Sequence, residues 1–309
     1  MKQEAGPVMG QKYFAIFSAG VEFLYSRLLC LLVFYFFMQG QAGCQPVNYA
    51  SPPGYDLTKP KTFFMNEALH EISGIVFFGK NYDSLYAIED EDGKLFYFHL
   101  GDGKFPHARF GKKGDYEDVT VLDGKKFIVL RSDGSLYVFP VSQARDKDIA
   151  DVQIYKHFMP TGEYEGIYAD DDGKVYVLCK NCPDDNQKKK VSVYIIQDSA
   201  NGQLGITGQF RVDVSAIELS SINIMKKPKF HPSCLAKNPI TKEWYIISSV
   251  NKLLISLNSQ WKLTASYPLN PSLFKQPEGL AFDNKGNMYI SNEGASGTAN
   301  ILVFNYKKP

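Results

Sequence analysis

The sequence predicts an all-β fold, a β-propeller of four-stranded antiparallel blades, and three observations carry that prediction. One motif recurs with starts at Glu71, Glu117, Glu165, Ser233 and Glu278, spaced 46, 48, 68 and 45 residues apart; a period of roughly 40–50 residues marks a propeller or solenoid. Asp92-Gly93, Asp133-Gly134, Asp172-Gly173 and Lys285-Gly286 fall between β-rich runs, where two-residue hairpin loops need positive φ. Between residues 60 and 309 no amphipathic helical pattern of useful length occurs.

Residues 1–43 differ in kind from the rest. Leu28 to Met38 is an apolar run, preceded by Arg27 and followed by Gln39-Gly-Gln-Ala-Gly-Cys44. Such a run is short for a bilayer span and suits the apolar region of a signal peptide. The ending Ala42-Gly43-Cys44 is similar to a bacterial lipoprotein signal, in which the cysteine becomes the lipidated first residue. The alternative is an uncleaved anchor over residues 13–38, which Glu22 and Arg27 interrupt at a cost in hydrocarbon. Residues 44–59, with Pro46, Pro52 and Pro53 and no periodicity, read as a tether from membrane to domain.

The propeller domain then covers residues 60–309. Within each repeat, the motif start opens an innermost strand. A second run follows at Ser84 to Ile88, Lys126 to Leu130, Lys174 to Leu178, Glu243 to Ser248 and Asn287 to Ile290. A third follows at Lys94 to Phe98, Ser135 to Phe139, Val191 to Ile196, Lys252 to Leu257 and Asn300 to Phe304. Many of these runs are continuously apolar, as strands covered on both faces should be. The chain ends before a fourth strand of the last repeat, and Lys61 to Met65 can supply it, closing the ring and hiding a sheet edge. Five blades are expected, with six as the alternative, because the interval from Glu165 to Ser233 is about 20 residues longer than the others. Within it, Pro183 to Lys190 reads as a solvated hairpin tip and Lys226-Lys-Pro-Lys229 as a small basic cluster on a long connection.

Net charge is +1 for the whole chain, and residues 1–43 hold three basic and two acidic side chains, so the remainder is neutral. A neutral domain without a basic stripe argues against nucleic acid as the partner. Of five cysteines, Cys30 lies in the signal, Cys44 takes the lipid, and Cys179, Cys182 and Cys234 remain. Cys179-Lys-Asn-Cys182 has no second pair for zinc and no βαβ setting for redox work, which leaves a local disulfide or two idle thiols. Cys234 stands where three other repeats have glycine, as a small buried residue would.

Innermost strands line a propeller's channel, so Glu71, Glu117, Glu165 and Glu278 are expected around one mouth. Converging carboxylates repel unless a cation or hydrogen-bond donors compensate them, which makes these four the candidate ligands of a divalent metal, calcium first. The structural alternative is that each glutamate bonds backbone N–H groups of the next blade. No G-x-S-x-G, H-E-x-x-H or Walker loop occurs. His70 and His231 lie beside rim positions as candidate bases without an identifiable nucleophile. The acidic loops Glu89 to Gly93 and Asp170 to Gly173 lack the spaced ligands of a calcium loop and read as hairpin turns.

With these residues assembled, the chain resembles the SdiA-regulated (YjiK-like) family of bacterial propeller proteins. Glu71-Ile-Ser-Gly-Ile75, Gly114-Asp-Tyr-Glu-Asp118, Tyr164-Glu-Gly166, His231-Pro-Ser233 and Pro277-Glu-Gly-Leu-Ala-Phe-Asp283 with Gly286-Asn-Met-Tyr289 carry the likeness over residues 60–309. Cys234 departs from the glycine of the family's repeat. The resemblance implies an exported, often lipid-anchored propeller with no assured activity. Two readings follow: a lipid-anchored binding or scaffold module of the bacterial envelope, with an envelope protein or small ligand as partner, or a metal-dependent hydrolase of lactonase or phosphoesterase type on the glutamate rim. The signal reading predicts that the mature protein, expressed in a bacterial host, has a mass beginning at Cys44 plus lipid; an intact N-terminus retaining residues 13–38 contradicts it.

Overall fold

The computed structural model describes residues 49–79, 84–199, 201–217 and 229–308. Leu28 to Met38, Cys44 and Lys226 to Pro228 lie outside these. Among the described residues, twenty strands form five four-stranded antiparallel sheets. Blade 1 is β2 (Ile72–Phe78), β3 (Ser84–Glu89), β4 (Lys94–Phe98) and β5 (His107–Arg109). Blade 2 is β6 (Tyr116–Leu122), β7 (Lys126–Arg131), β8 (Leu136–Pro140) and β9 (Gln153–Tyr155). Blade 3 is β10 (Glu163–Ala169), β11 (Val175–Asn181), β12 (Lys190–Asp198) and β13 (Leu204–Asp213). Blade 4 is β14 (Cys234–Lys237), β15 (Trp244–Ser248), β16 (Leu253–Leu257) and β17 (Leu263–Pro268). Blade 5 is β18 (Pro277–Phe282), β19 (Met288–Asn292), β20 (Asn300–Phe304) and, from the other end of the chain, β1 (Lys61–Phe64).

The innermost strands β2, β6, β10, β14 and β18 pack in sequence, and β18 returns to β2, so the five blades form a ring. Pairing of β1 with β20, Lys61 opposite Val303 and Phe64 opposite Asn300, closes it as the sequence predicts. The long interval before blade 4 holds no sixth sheet among the described residues. It is taken up by β12 and β13, nine and ten residues long, and by the connection that leads to β14.

The core is divided among the interfaces between blades. Phe78, Tyr86, Phe127 and Phe139 join blades 1 and 2, for example, and Tyr176, Trp244, Trp261 and Phe210 join blades 3 and 4. Trp244 and Trp261 stack with ring centroids 4.1 Å apart. Both faces of each middle strand are therefore covered, which is why β7, β15 and β20 read as unbroken apolar runs.

Three details differ from the sequence expectation. Pro52, Tyr55 and Leu57 are buried, and the Tyr55 hydroxyl, in the core between blades 4 and 5, donates to the Gly286 carbonyl at 2.5 Å and accepts from Asn238 Nδ2 at 2.7 Å. The expected tether thus already belongs to the domain from Pro52. The turns at Gly134, Gly173 and Gly286 have positive φ as expected, yet each loop is one residue longer, closing through an i to i+3 bond followed by an i to i+4 pairing. That is a type I turn with a glycine bulge. Gly93 is different: its φ is not positive, and a Cβ there would lie 2.4 Å from the Gly111 backbone, so close approach selects glycine. Asp123-Gly124 has positive φ at both positions, 53° and 65°, within the three-residue loop between Leu122 and Lys126.

Blade-to-blade contact near the axis is polar as well as apolar. Ser291 Oγ donates to the Ser73 carbonyl at 2.7 Å, and Ser73 Oγ donates to the Glu117 carbonyl. Asp118, fully buried, accepts Val119 N–H at 2.8 Å and Ile167 N–H at 2.9 Å, linking blades 2 and 3. Its side chain also fills the space that a Cβ at Gly74 would occupy, 2.4 Å from Oδ1. Truncating Asp118 leaves a buried N–H without an acceptor, so Asp118→Ala should lower unfolding free energy by roughly 2 kcal/mol and Asp118→Asn by less. Denaturant melts of the soluble domain check this; equal stability of Asp118→Ala and wild type contradicts it.

Candidate metal centre

The mouth of the channel is built by an irregularity of the innermost strands. On β6, Tyr116 pairs with Arg131 and Asp118 with Leu130, leaving Glu117 with no residue opposite. On β10 the same slip leaves Glu165 between Tyr164 and Gly166, and on β18 it leaves Glu278 between Pro277 and Gly279. These are β-bulges, which re-aim the extra side chain. In blade 1 the ladder skips Ser73 and Gly74 between Ile72 and Ile75, so the counterpart of the three glutamates is Ser73. Glu71 lies two residues earlier.

The four predicted ligands therefore separate into two neighbouring groups. Glu117, Glu165 and Glu278 form the inner one. Burial, then the charge of Glu165, pushes Glu117 up to about 10. Burial pushes Glu165 up to about 8 against the opposing pull of Lys180. Burial also raises Glu278, opposed by hydrogen bonds from the Ser233 and Ser249 side chains. Glu71 joins an outer group with Asp90 and Glu293, whose carboxylate oxygens lie within 4.8 Å of one another. Burial, then Glu278, Asp90 and Glu71, pushes Glu293 up to about 9. Burial and the charge of Glu71 push Asp90 up to about 6, and its Oδ1 is buried without a hydrogen-bond partner. Glu293 accepts from the Gln276 amide, and Glu71 Oε1 lies 2.7 Å from His70 Nδ1.

Asp90 and Glu293 were not evident in the repeat because they follow the second strand of a blade. Glu89 opposes Ile72 and Asn292 opposes Pro277, so the next residue in each case stands at the same level of the mouth. Ser132, Lys180 and Ser249 occupy that position in the other blades. Lys180 Nζ lies 2.5 Å from Glu165 Oε1 and 3.5 Å from Glu163 Oε1, the one ammonium paired with these inner carboxylates among the described residues.

The remaining candidates are placed elsewhere. Cys179 and Cys182 are joined as a disulfide, and Cys234 is a fully buried thiol where other blades have glycine. Pro183 to Lys190 is not a freely solvated tip: Gln187 is buried and donates to the Lys180 carbonyl at 2.8 Å, while Asp185 accepts the Ser192 N–H and Oγ–H, each at 2.7 Å. His231 is lowered by burial and by Lys180 and Lys229. Asp92 and Asp172 pair with Lys94 and Lys174 within their hairpins. A cavity of about 430 Å³ lies inside the channel among the inner strands, bordered by Phe77, Val121, Asp170, Lys237 and Phe282, away from both acidic groups.

Fold and site define a five-bladed β-propeller with an acidic channel mouth. The chain belongs to the SdiA-regulated family, whose model matches residues 52–296. No curated protein matches it in sequence. Among solved structures it is similar to a luciferin-regenerating enzyme, with 10% identity over 80% of this chain and 95% of the other and a TM-score of 0.51. It is also similar to virginiamycin B lyase from Staphylococcus aureus (13% identity, 80% and 70% coverage, TM-score 0.43) and to the calcium-binding protein regucalcin from Agrobacterium tumefaciens (11%, 84% and 97%, TM-score 0.45). At these identities the likeness is one of fold.

Raised carboxyl pKa values make stability fall as pH rises. The contribution is complete below the unfolded value of 4.5 and is lost as pH passes through about 8 to 10 for Glu165, Glu293 and Glu117. Without divalent metal, the melting temperature of the domain should decline from pH 5 to pH 9, and Glu117→Gln should flatten the decline. A melting temperature constant over that range contradicts the placement of these groups.

Proposed function

We propose that this protein is a lipid-anchored binding module of the bacterial cell envelope whose channel mouth holds a divalent cation, calcium first. The observation that carries the cation is the meeting of Glu71, Asp90 and Glu293 within 4.8 Å, beside three further glutamates of which Glu165 is paired with Lys180. The donors are all carboxylate oxygens, two from blade 1 and one from blade 5, and calcium accepts several such ligands at flexible geometry. Asp90 Oδ1, buried and without a partner, has the chemistry of a ligand atom. Bound there, the ion would offset the repulsion among carboxylates and tie the first and last blades together at the rim. It would also offer a Lewis-acid position to an oxygen of a ligand entering along the axis.

The lipid anchor and the envelope address rest on Arg27, the apolar run and Ala42-Gly43-Cys44, and a membrane is the partner they imply. The second reading, a metal-dependent hydrolase, is favoured by His70, whose ring sits 2.7 Å from Glu71 as a proton-handling group beside the same carboxylates.

Titration calorimetry of residues 49–309 with calcium tests the site. Binding at millimolar concentration or tighter is expected, with a rise in melting temperature; at a hundredfold excess over Kd, linkage adds about 2.7 kcal/mol. Asp90→Asn and Glu293→Gln should each weaken binding by tenfold or more, on the order of the loss of one charged ligand. No binding at millimolar calcium, magnesium or manganese rules the cation out. Hydrolysis of a lactone or phosphoester panel that depends on metal and on His70 would favour the second reading.

A further inference from the structure

Lys180 is held in place by more structure than an ion pair needs. It lies between Cys179 and Cys182, which are joined, as the penultimate residue of β11 before the blade 3 excursion. Gln187, 4% exposed, donates to the Lys180 carbonyl at 2.8 Å and to Asn181 Oδ1 at 3.0 Å. Asp185, its side chain 1% exposed, pins the same excursion to Ser192 and lies 3.5 Å from Arg211 Nε. Phe230 N–H donates to the Gln187 carbonyl at 2.9 Å, which fastens the excursion to the chain entering blade 4. Cystine, buried amide and buried carboxylate thus fix the backbone that carries one ammonium into the acidic mouth. The corresponding positions of blades 2 and 4 are Ser132 and Ser249, and those of blades 1 and 5 are Asp90 and Glu293.

We propose that Lys180 is a tethered counter-ion that competes with dissolved cations for the mouth, setting its affinity and restricting it to multivalent ions. The inference rests on the cation reading above. A fixed ammonium competes at the effective concentration of an intramolecular group, of millimolar order or above for short tethers. A monovalent ion offers the carboxylates no more charge than Lys180 already does and must also displace it. A divalent ion held by Glu71, Asp90 and Glu293 offers twice the charge and also acts on Glu278 and Glu165, whose charges reach Glu293, so it alone repays the loss of the Lys180 pair.

Calcium titrations of wild type, Lys180→Met and the double variant Cys179→Ser/Cys182→Ser, each with and without excess sodium, test this. Lys180→Met should bind calcium on the order of tenfold more tightly than wild type, and sodium should compete measurably in that variant alone. The double variant, which keeps the lysine and frees its segment, should fall between the two; it carries the test if Lys180→Met does not fold. Equal or weaker calcium binding by Lys180→Met, or by the double variant if that alone folds, overturns the counter-ion role and leaves the cation site standing. Absence of calcium binding in all three overturns both.

Discussion

Each of three innermost strands carries one residue more than its neighbour can pair, and that residue is a glutamate. The bulge is a backbone constraint before it is a chemical one: the unpaired position cannot return its side chain to the face between blades, so Glu117, Glu165 and Glu278 turn toward the axis. Closing the ring brings them together, and the residues after β3 and β19 add Asp90 and Glu293 beside Glu71. Carboxyl groups crowded in this way can be protonated, paired with a cationic side chain or shared by a metal ion. The raised pKa values express the first option and the Lys180 pair the second. A divalent cation, as we propose, would be the third, and it would answer more of the charge than either.

Most of the fold was legible in the sequence because the propeller is a local object repeated. Apolar runs covered on both faces, turn residues at a fixed period and an unpartnered β-run before the first repeat are one-dimensional signals, and β1 closes blade 5 where Lys61 to Met65 said it would. The tether was less legible, since Pro52 to Leu57 has no period and joins the core through isolated side chains, with Tyr55 wedged between blades 4 and 5. Turn lengths also escaped, because an Asp-Gly pair fits a two-residue loop and a three-residue loop alike.

The site was legible in outline and misregistered in one blade. Glu71-Ile-Ser-Gly and Pro277-Glu-Gly-Leu align on their glutamates by eye, but pairing aligns Ser73 with Glu278. Only the register of β2 against β3 distinguishes the two. Asp90 and Glu293 went unseen because they sit at strand ends outside the repeated motif. Lys180 was hidden inside a spacing that drew attention to its flanking cysteines. What breaks the fivefold repeat gathers on the inner strands and at the mouth: Ser73 and Ser233 in place of glutamate, Asp118 in place of glycine, and a braced lysine on blade 3.

The most direct measurement is an anomalous difference map from crystals of the domain grown with a calcium surrogate such as terbium. The account predicts one dominant peak among the carboxylates of Glu71, Asp90 and Glu293, with Glu278 and Glu165 oriented toward it. A map with no peak at the mouth under saturating metal, or with its dominant peak elsewhere on the propeller, contradicts the account.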